Sequence, residues 1–163
     1  MPKLTQVKET KRGRYALFFD GEFAFSLDED TFAMAGLHTG DELEEWQIHD
    51  LQTKSDTRKA VDKAMDLLAL RDHAAGELYQ KLCRSFDPHS AAAAVAKMQE
   101  LNLLDDAGFA RRRAAELLRK RKSRRAILDD LHAKGIDRDA AAEAVEALFA
   151  QSEEDEEETE GDK

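Results

Sequence analysis

Leu78-Tyr-Gln-Lys-Leu-Cys-Arg-Ser-Phe-Asp87 and Ile127-Leu-Asp-Asp-Leu-His-Ala-Lys-Gly-Ile-Asp137 follow the same helix-and-turn pattern, and their spacing decides the fold. Leu78 and Leu82 precede Ile127 and Leu131 by 49 residues, and Phe86-Asp87 precedes Ile136-Asp137 by 50. Working outward, Leu68 matches Leu117 at 49, while Val95 matches Val145 and Met98 matches Leu148 at 50. The one-residue slip belongs to the second loop. A period kept in register across helices and loops is the mark of a repeated supersecondary unit. Here that unit is three helices in about fifty residues, used twice.

Helix boundaries fall where start and stop residues punctuate the apolar spacing. Ser55 or Asp56 suits the cap of a helix bearing Val61, Met65 and Leu68. A second helix carries Leu78 and Leu82, and Pro88 opens a third with Val95, Met98 and Leu101. Leu103 and Leu104 close that third helix into the core, and Asp105 or Asp106 opens a fourth with Phe109, Ala114 and Leu117, Phe109 being a core residue. Ser123 caps a fifth with Ile127 and Leu131. Gly135 stops it, and Asp137 caps a sixth with Ala141, Val145 and Leu148. Cys83, beside Leu82, reads as a buried thiol, and Asp72 in Arg71-Asp-His73 reads as a turn cap.

The first fifty residues differ. Arg14-Tyr-Ala-Leu-Phe-Phe19 and Glu22-Phe-Ala-Phe-Ser-Leu27 flank Asp20-Gly21, which suits a two-residue type I′ hairpin. The expected register sets Phe18 opposite Phe23 and Ala16 opposite Phe25. A lone hairpin is marginal, so a strand near Leu4–Glu9 and a helix over Asp28–Ala35, stopped by Gly36, are expected to complete it. Asp41 is the expected cap of a helix through Trp46 and Leu51. The resulting organisation is mainly α. A small β-hairpin domain (1–53) precedes two three-helix repeats (54–104 and 105–150) and an acidic, unfolded tail (151–163).

Charge is unevenly spread along the 163 residues, whose net charge is −10. Residues 109–134 alone carry net +7, while residues 151–163 carry net −7. The basic stretch comprises Arg111, Arg112, Arg113, Arg119, Lys120, Arg121, Lys122, Arg124 and Arg125, with Glu116 as the one acid between 111 and 125. At 100° per residue the cluster wraps its helix and the following turn. Two targets suit it: nucleic-acid phosphates, through counterion release, and an acidic protein surface, through steering. The alternative is a solvated helix face. Glu153–Glu158 has too little apolar surface to fold alone; it is either a solubilising tail or an internal competitor for the basic stretch.

Val61-Asp-Lys-Ala-Met-Asp-Leu-Leu-Ala-Leu-Arg-Asp-His73 with Glu77-Leu78 and Lys81-Leu82, then Leu103-Leu-Asp-Asp106 with Phe109-Ala110, then Arg124-Arg-Ala-Ile127, Leu131 and Lys134-Gly-Ile136 resemble, in that order, the motifs of the RecX family of recombinase regulators. The resemblance covers residues 58–149, and the hairpin region resembles an extension in some members. It implies tandem three-helix units that dock in the groove of the RecA–DNA filament. Its function would be to modulate RecA, in the first place by inhibiting its ATPase, recombinase and strand-exchange activities. Many relatives carry a third helical unit, and many have a glycine in the turn that here reads Lys120-Arg-Lys-Ser123.

Catalysis finds little in the chain. It has no Gly-x-x-x-x-Gly-Lys-Ser/Thr loop, no Gly-x-Ser-x-Gly elbow and no His-Glu-x-x-His pair. One cysteine rules out an internal disulfide. The N-terminus lacks a signal-peptide core, and no apolar run approaches a membrane span. The expectation is a non-enzymatic, cytoplasmic regulator, monomeric when free, with no cofactor, metal or membrane. Its partners are the RecA filament and single- or double-stranded DNA. The other reading is a nucleic-acid-binding protein independent of RecA, acting through residues 111–125.

Overall fold

In this computed structural model the backbone is described for residues 1–161 and side chains through residue 157. Elements follow in the order β1 (Leu4–Glu9), β2 (Tyr15–Phe19), β3 (Glu22–Leu27), α1 (Glu29–Ala35), α2 (Glu45–Leu70), α3 (Ala75–Leu82), α4 (Pro88–Glu100), α5 (Asp106–Arg119), α6 (Arg124–Ala133) and α7 (Arg138–Gly161). The protein is therefore mainly helical with a three-stranded antiparallel sheet at its N-terminus. Two compact units form. One comprises Met1–Lys63 with Phe86–Ala94, and the other Ala64–Ser85 with the chain from Val95 onward.

In the first unit Asp20 and Gly21 both have positive φ, at +52° and +84°, as a type I′ turn requires. Phe18 pairs with Phe23 as expected, but Ala16 pairs with Ser26 and Leu17 with Phe25. A bulge between Leu17 and Phe18 shifts the register by one, so that Leu17, Phe19, Phe25 and Leu27 all reach the core. Leu4, Leu43 and Leu51 complete that core. Asp28 caps α1, accepting from the Thr31 amide at 3.0 Å, and Gly36 ends it with φ +61°.

Two expected caps act differently. Asp41 accepts from the His38 amide at 2.8 Å and so closes the turn before α2. At the start of α2 the Glu44 amide instead donates to Gln47 Oε1 at 2.8 Å. Ser55 opens no helix, because α2 runs unbroken through it and past the expected boundary at 53/54. No breaker precedes Ser55, and its hydroxyl finds tertiary partners: it donates to the Ser26 carbonyl at 2.7 Å and accepts from Arg14 Nη2 at 3.0 Å.

The second unit is organised by three helix ends of one kind. Asn102, Arg121 and Gly135 each adopt a left-handed conformation one residue past the C-cap. The next amide then bonds back to Met98, Leu117 and Leu131 respectively, the bonding of a Schellman turn. Asp105, Ser123 and Asp137 follow and cap the next helix, accepting from the amides of Gly108, Ala126 and Ala140 at 3.0, 3.1 and 2.8 Å. Ala110, Ala114, Leu117, Ile127, Leu131, Ile136, Ala141, Ala144 and Val145 fill the core of α5, α6 and α7, with Phe109 half-buried against it. Leu103 departs from its expected core position and is 49% exposed, because it occupies the turn rather than either helix face.

Helix α3 is fastened to this bundle at its N-terminus. The residue before it, Ala74, offers no side-chain cap; Asp106 supplies one from α5, accepting from the Ala75 amide at 2.8 Å. Asp72 is therefore not a cap and pairs with Arg112 at 3.3 Å. Gly76 lies so close to Gly135 that a Cβ on Gly76 would sit 2.7 Å from the Gly135 carbonyl oxygen. Beside this contact Glu77, with its side chain 11% exposed, accepts from Arg71 at 2.9 and 3.1 Å and from Lys134 at 3.2 Å. Buried His73 is bracketed by the Arg71 carbonyl and the Lys81 ammonium, each at 2.9 Å. Cys83 is half-buried at the end of α3 rather than fully enclosed.

The acidic tail also departs from expectation: α7 continues through it to Gly161, while Asp162 and Lys163 lie outside the described residues. Once Val145 and its neighbours anchor the helix, each further residue adds a bond without a new nucleation cost, and glutamate is a good helix former.

Burial alone would raise the Glu77 pKa, but the hydrogen bonds from Arg71 and Lys134 outweigh it and bring the group from the usual 4.5 down to about 2. The unfolded chain therefore takes up its proton first on acidification. The stabilisation from Glu77, about 3 kcal/mol, is complete above pH 4.5 and is lost as pH falls to about 2. Urea unfolding across that range should show this loss in the wild type, and Glu77→Gln should be weaker at pH 7 and flatter below 4.5.

Candidate partner interface

The nine basic residues lie on α5, the turn after it and the start of α6. The turn is held by the Arg121 and Lys122 amides bonding back to Leu118 and Leu117, and by the Ser123 cap. Arg121, at φ +63°, occupies the position most helices give to glycine. The turn is therefore made without glycine, at some backbone cost, and an exposed arginine occupies its left-handed position.

The nine residues do not act together. Arg113 donates to Asp130 through Nε at 2.8 Å and Nη2 at 3.0 Å, with Glu116 at 3.5 Å. The bond pair raises the Arg113 pKa and lowers that of Asp130, each against the desolvation of a half-buried pair. Arg112 pairs with Asp72, and Lys120 with Glu116 at 3.4 Å. Arg124 lies over the Phe149 ring, 4.9 Å from its centroid. Arg111, Arg119, Arg121, Lys122 and Arg125 are exposed and have no ion pair among the described residues.

Arg113 and Arg112 instead line a cleft of about 400 Å3 with Arg71, Asp72, Phe109, Glu116 and Lys134. Sequence reasoning did not connect Arg71 and Lys134 with it. Their one local signal was an acid, Glu77, set beside Leu78 on the apolar side of a short helix. Every cation of the cleft is ion-paired: Arg71 and Lys134 share Glu77, Arg112 pairs with Asp72, and Arg113 pairs with Asp130 and Glu116. The cleft thus ties helices together, and the unbalanced positive charge lies at the α5–α6 turn. Among the described residues no group of three or more His, Cys, Asp or Glu side chains is placed to hold a metal, and no helix is long and apolar enough to cross a membrane.

The family model described as RecX, second three-helix domain, matches residues 105–145, the span of α5, α6 and most of the packed part of α7. Regulatory protein RecX of Caldanaerobacter subterraneus subsp. tengcongensis is 27% identical over 88% of this chain and 73% of its own length. The protein of the same name from Bacillus subtilis is 28% identical over 91% and 58%, and that from Lactobacillus delbrueckii subsp. bulgaricus (strain ATCC BAA-365 / Lb-18) is 35% identical over 89% and 55%. The chain thus spans little more than half the length of the latter two. A crystal structure of regulatory protein RecX superposes with a TM-score of 0.65 over 91% of this chain and 74% of that one, at 24% identity, a likeness of fold.

The division between paired and unpaired cations is measurable as stability. Arg113→Ala should lower unfolding free energy by about 1–3 kcal/mol by leaving Asp130 without its partner, whereas Arg125→Ala should stay within about 0.5 kcal/mol. Arg121→Gly should raise it by about 0.5–1 kcal/mol through relief of the left-handed backbone. Urea denaturation at pH 7 reads all three.

Proposed function

We propose that this chain, a member of the RecX family, exerts its regulatory role by binding the RecA–DNA filament through the α5–α6 turn, and in the first place lowers the filament's ATPase and strand exchange. One observation carries the reading: four exposed cations without an ion pair among the described residues, Arg119, Arg121, Lys122 and Arg125, flank a turn held by a helix stop and a helix cap. Unpaired guanidinium and ammonium groups on such a base suit phosphate or a carboxylate-rich surface, and little of their order has to be created on binding. The three-helix unit matched by the family model serves as the rigid mount, and the paired residues Arg112 and Arg113 as its internal ties. No covalent step or cofactor is required. A regulator of this kind shifts the filament between protomer arrangements by as much as its affinities for them differ.

The test is RecA ATPase on single-stranded DNA with added protein. Wild type should inhibit, and Arg119→Glu, Arg121→Glu, Lys122→Glu and Arg125→Glu combined should abolish inhibition without loss of helicity by circular dichroism. Undiminished inhibition by the reversed protein overturns the role given to this turn. Tight DNA binding with untouched ATPase instead favours the RecA-independent nucleic-acid reading.

A further inference from the structure

Two helix ends in the C-terminal unit carry charge of the unfavourable sign. Helix α6 begins with Arg124 and Arg125 and has no acid in its first turn, so cations sit at the positive end of the helix dipole. Helix α7 runs out through Glu153, Glu154, Asp155, Glu156 and Glu157, and its last turn has no basic residue. Those acids sit towards the negative end and repel one another at i,i+3 and i,i+4 spacings, as Glu153 does Glu156 and Glu157. Each end lacks what the other has in excess.

The two helices that carry these ends meet at one contact. The short turn Lys134–Asp137 sends α7 back along α6, and the Arg124 guanidinium over the Phe149 ring shows where the two helices meet. Beyond Phe149, α7 advances about 1.5 Å per residue past the start of α6, towards the level of the basic turn. Glu153 and Glu156, at i+4 and i+7, continue the face of Phe149 about 6 and 10 Å further along. Ser152 is half-buried, and Glu153–Glu157 are exposed. Glu153, Glu154, Glu156 and Glu157 have no ion pair among the described residues, and neither do Arg121, Lys122 and Arg125. Both sets of charges are therefore open to an outside charge, and exposed charges attract one another over a Debye length of about 8 Å at physiological salt.

We propose that the acidic end of α7 is a built-in counter-ligand for the basic α5–α6 turn, screening it in the free protein and giving way when a polyanionic partner engages. This rests on the reading of that turn as the partner interface and adds a regulation to it. A tethered competitor acts at high effective concentration. It outcompetes contacts made by one or two phosphates and yields to an extended array of them, which biases the turn against incidental anions.

Full-length protein tests this on immobilised heparin, a polyanion independent of sequence. The tail-neutral variant carries Glu153→Gln, Glu154→Gln, Asp155→Asn, Glu156→Gln and Glu157→Gln. A control with the same change in net charge carries Glu9→Gln, Glu22→Gln, Glu42→Gln, Asp56→Asn and Asp66→Asn. The tail-neutral protein should elute later than the control by on the order of 0.1 M NaCl. Adding Arg121→Glu, Lys122→Glu and Arg125→Glu should remove that difference. Zero-length carbodiimide coupling of the free wild type should join Lys120 or Lys122 to a carboxylate within 153–157, and excess heparin should suppress the product. Equal elution of the two neutralised proteins, or no such cross-link, overturns the counter-ligand. Unaltered RecA inhibition on reversal of the turn would overturn the interface reading instead, leaving elution and cross-link to stand or fall separately.

Discussion

Glu77 is the carboxylate around which the C-terminal unit is assembled. It leaves water to accept hydrogen bonds from Arg71 at the end of α2 and Lys134 at the end of α6. Removing a carboxylate from water is costly unless its lone pairs are met, and here two cations from distant points of the chain meet them. The cost of mismatch makes the arrangement specific: α3 cannot slide along α6 without stranding the charge. Gly76 adds a steric condition, since backbone meets backbone at Gly135 and no larger residue fits between. Asp106 adds a third, capping a helix other than its own.

With α3 and α6 held in this way, the α5–α6 turn inherits a rigid base. Arg113 contributes from inside, its bond pair with Asp130 linking the two helices that flank the turn. What remains outside is a set of cations with no ion pair among the described residues. The surface charge of this region is thus the remainder left after the fold has used the arginines it needs. That division leaves the unbalanced positive charge at the α5–α6 turn, and charges tied up in structure are poor ligands for an outside anion.

Burial follows the repeat seen in the chain. Leu78, Leu82 and Val95 are buried, as are Ile127, Leu131 and Val145, at corresponding places. Alanines at 110, 114, 141 and 144 let helices approach closely, which explains an apolar fraction high in alanine and low in aromatic residues. The same anchoring carries α7 into the acidic segment, where local composition alone argued for an unfolded chain.

Local sequence was enough for the last five helices of the repeat, the hairpin turn at Asp20-Gly21, the caps at Ser123 and Asp137, and a cap at Asp105 or its neighbour Asp106, because each depends on residues within a few positions of one another. It also determined the basic cluster as a composition. Packing settled that Ser55 belongs inside a helix, that Ala16 pairs with Ser26, that Asp106 caps α3, and that Arg113 is ion-paired while Arg125 has no ion pair among the described residues. Those outcomes depend on partners 10 to 41 residues away in sequence. A polar side chain takes the partner that relieves its desolvation most, and which partner arrives is settled by packing rather than by its neighbours in the chain.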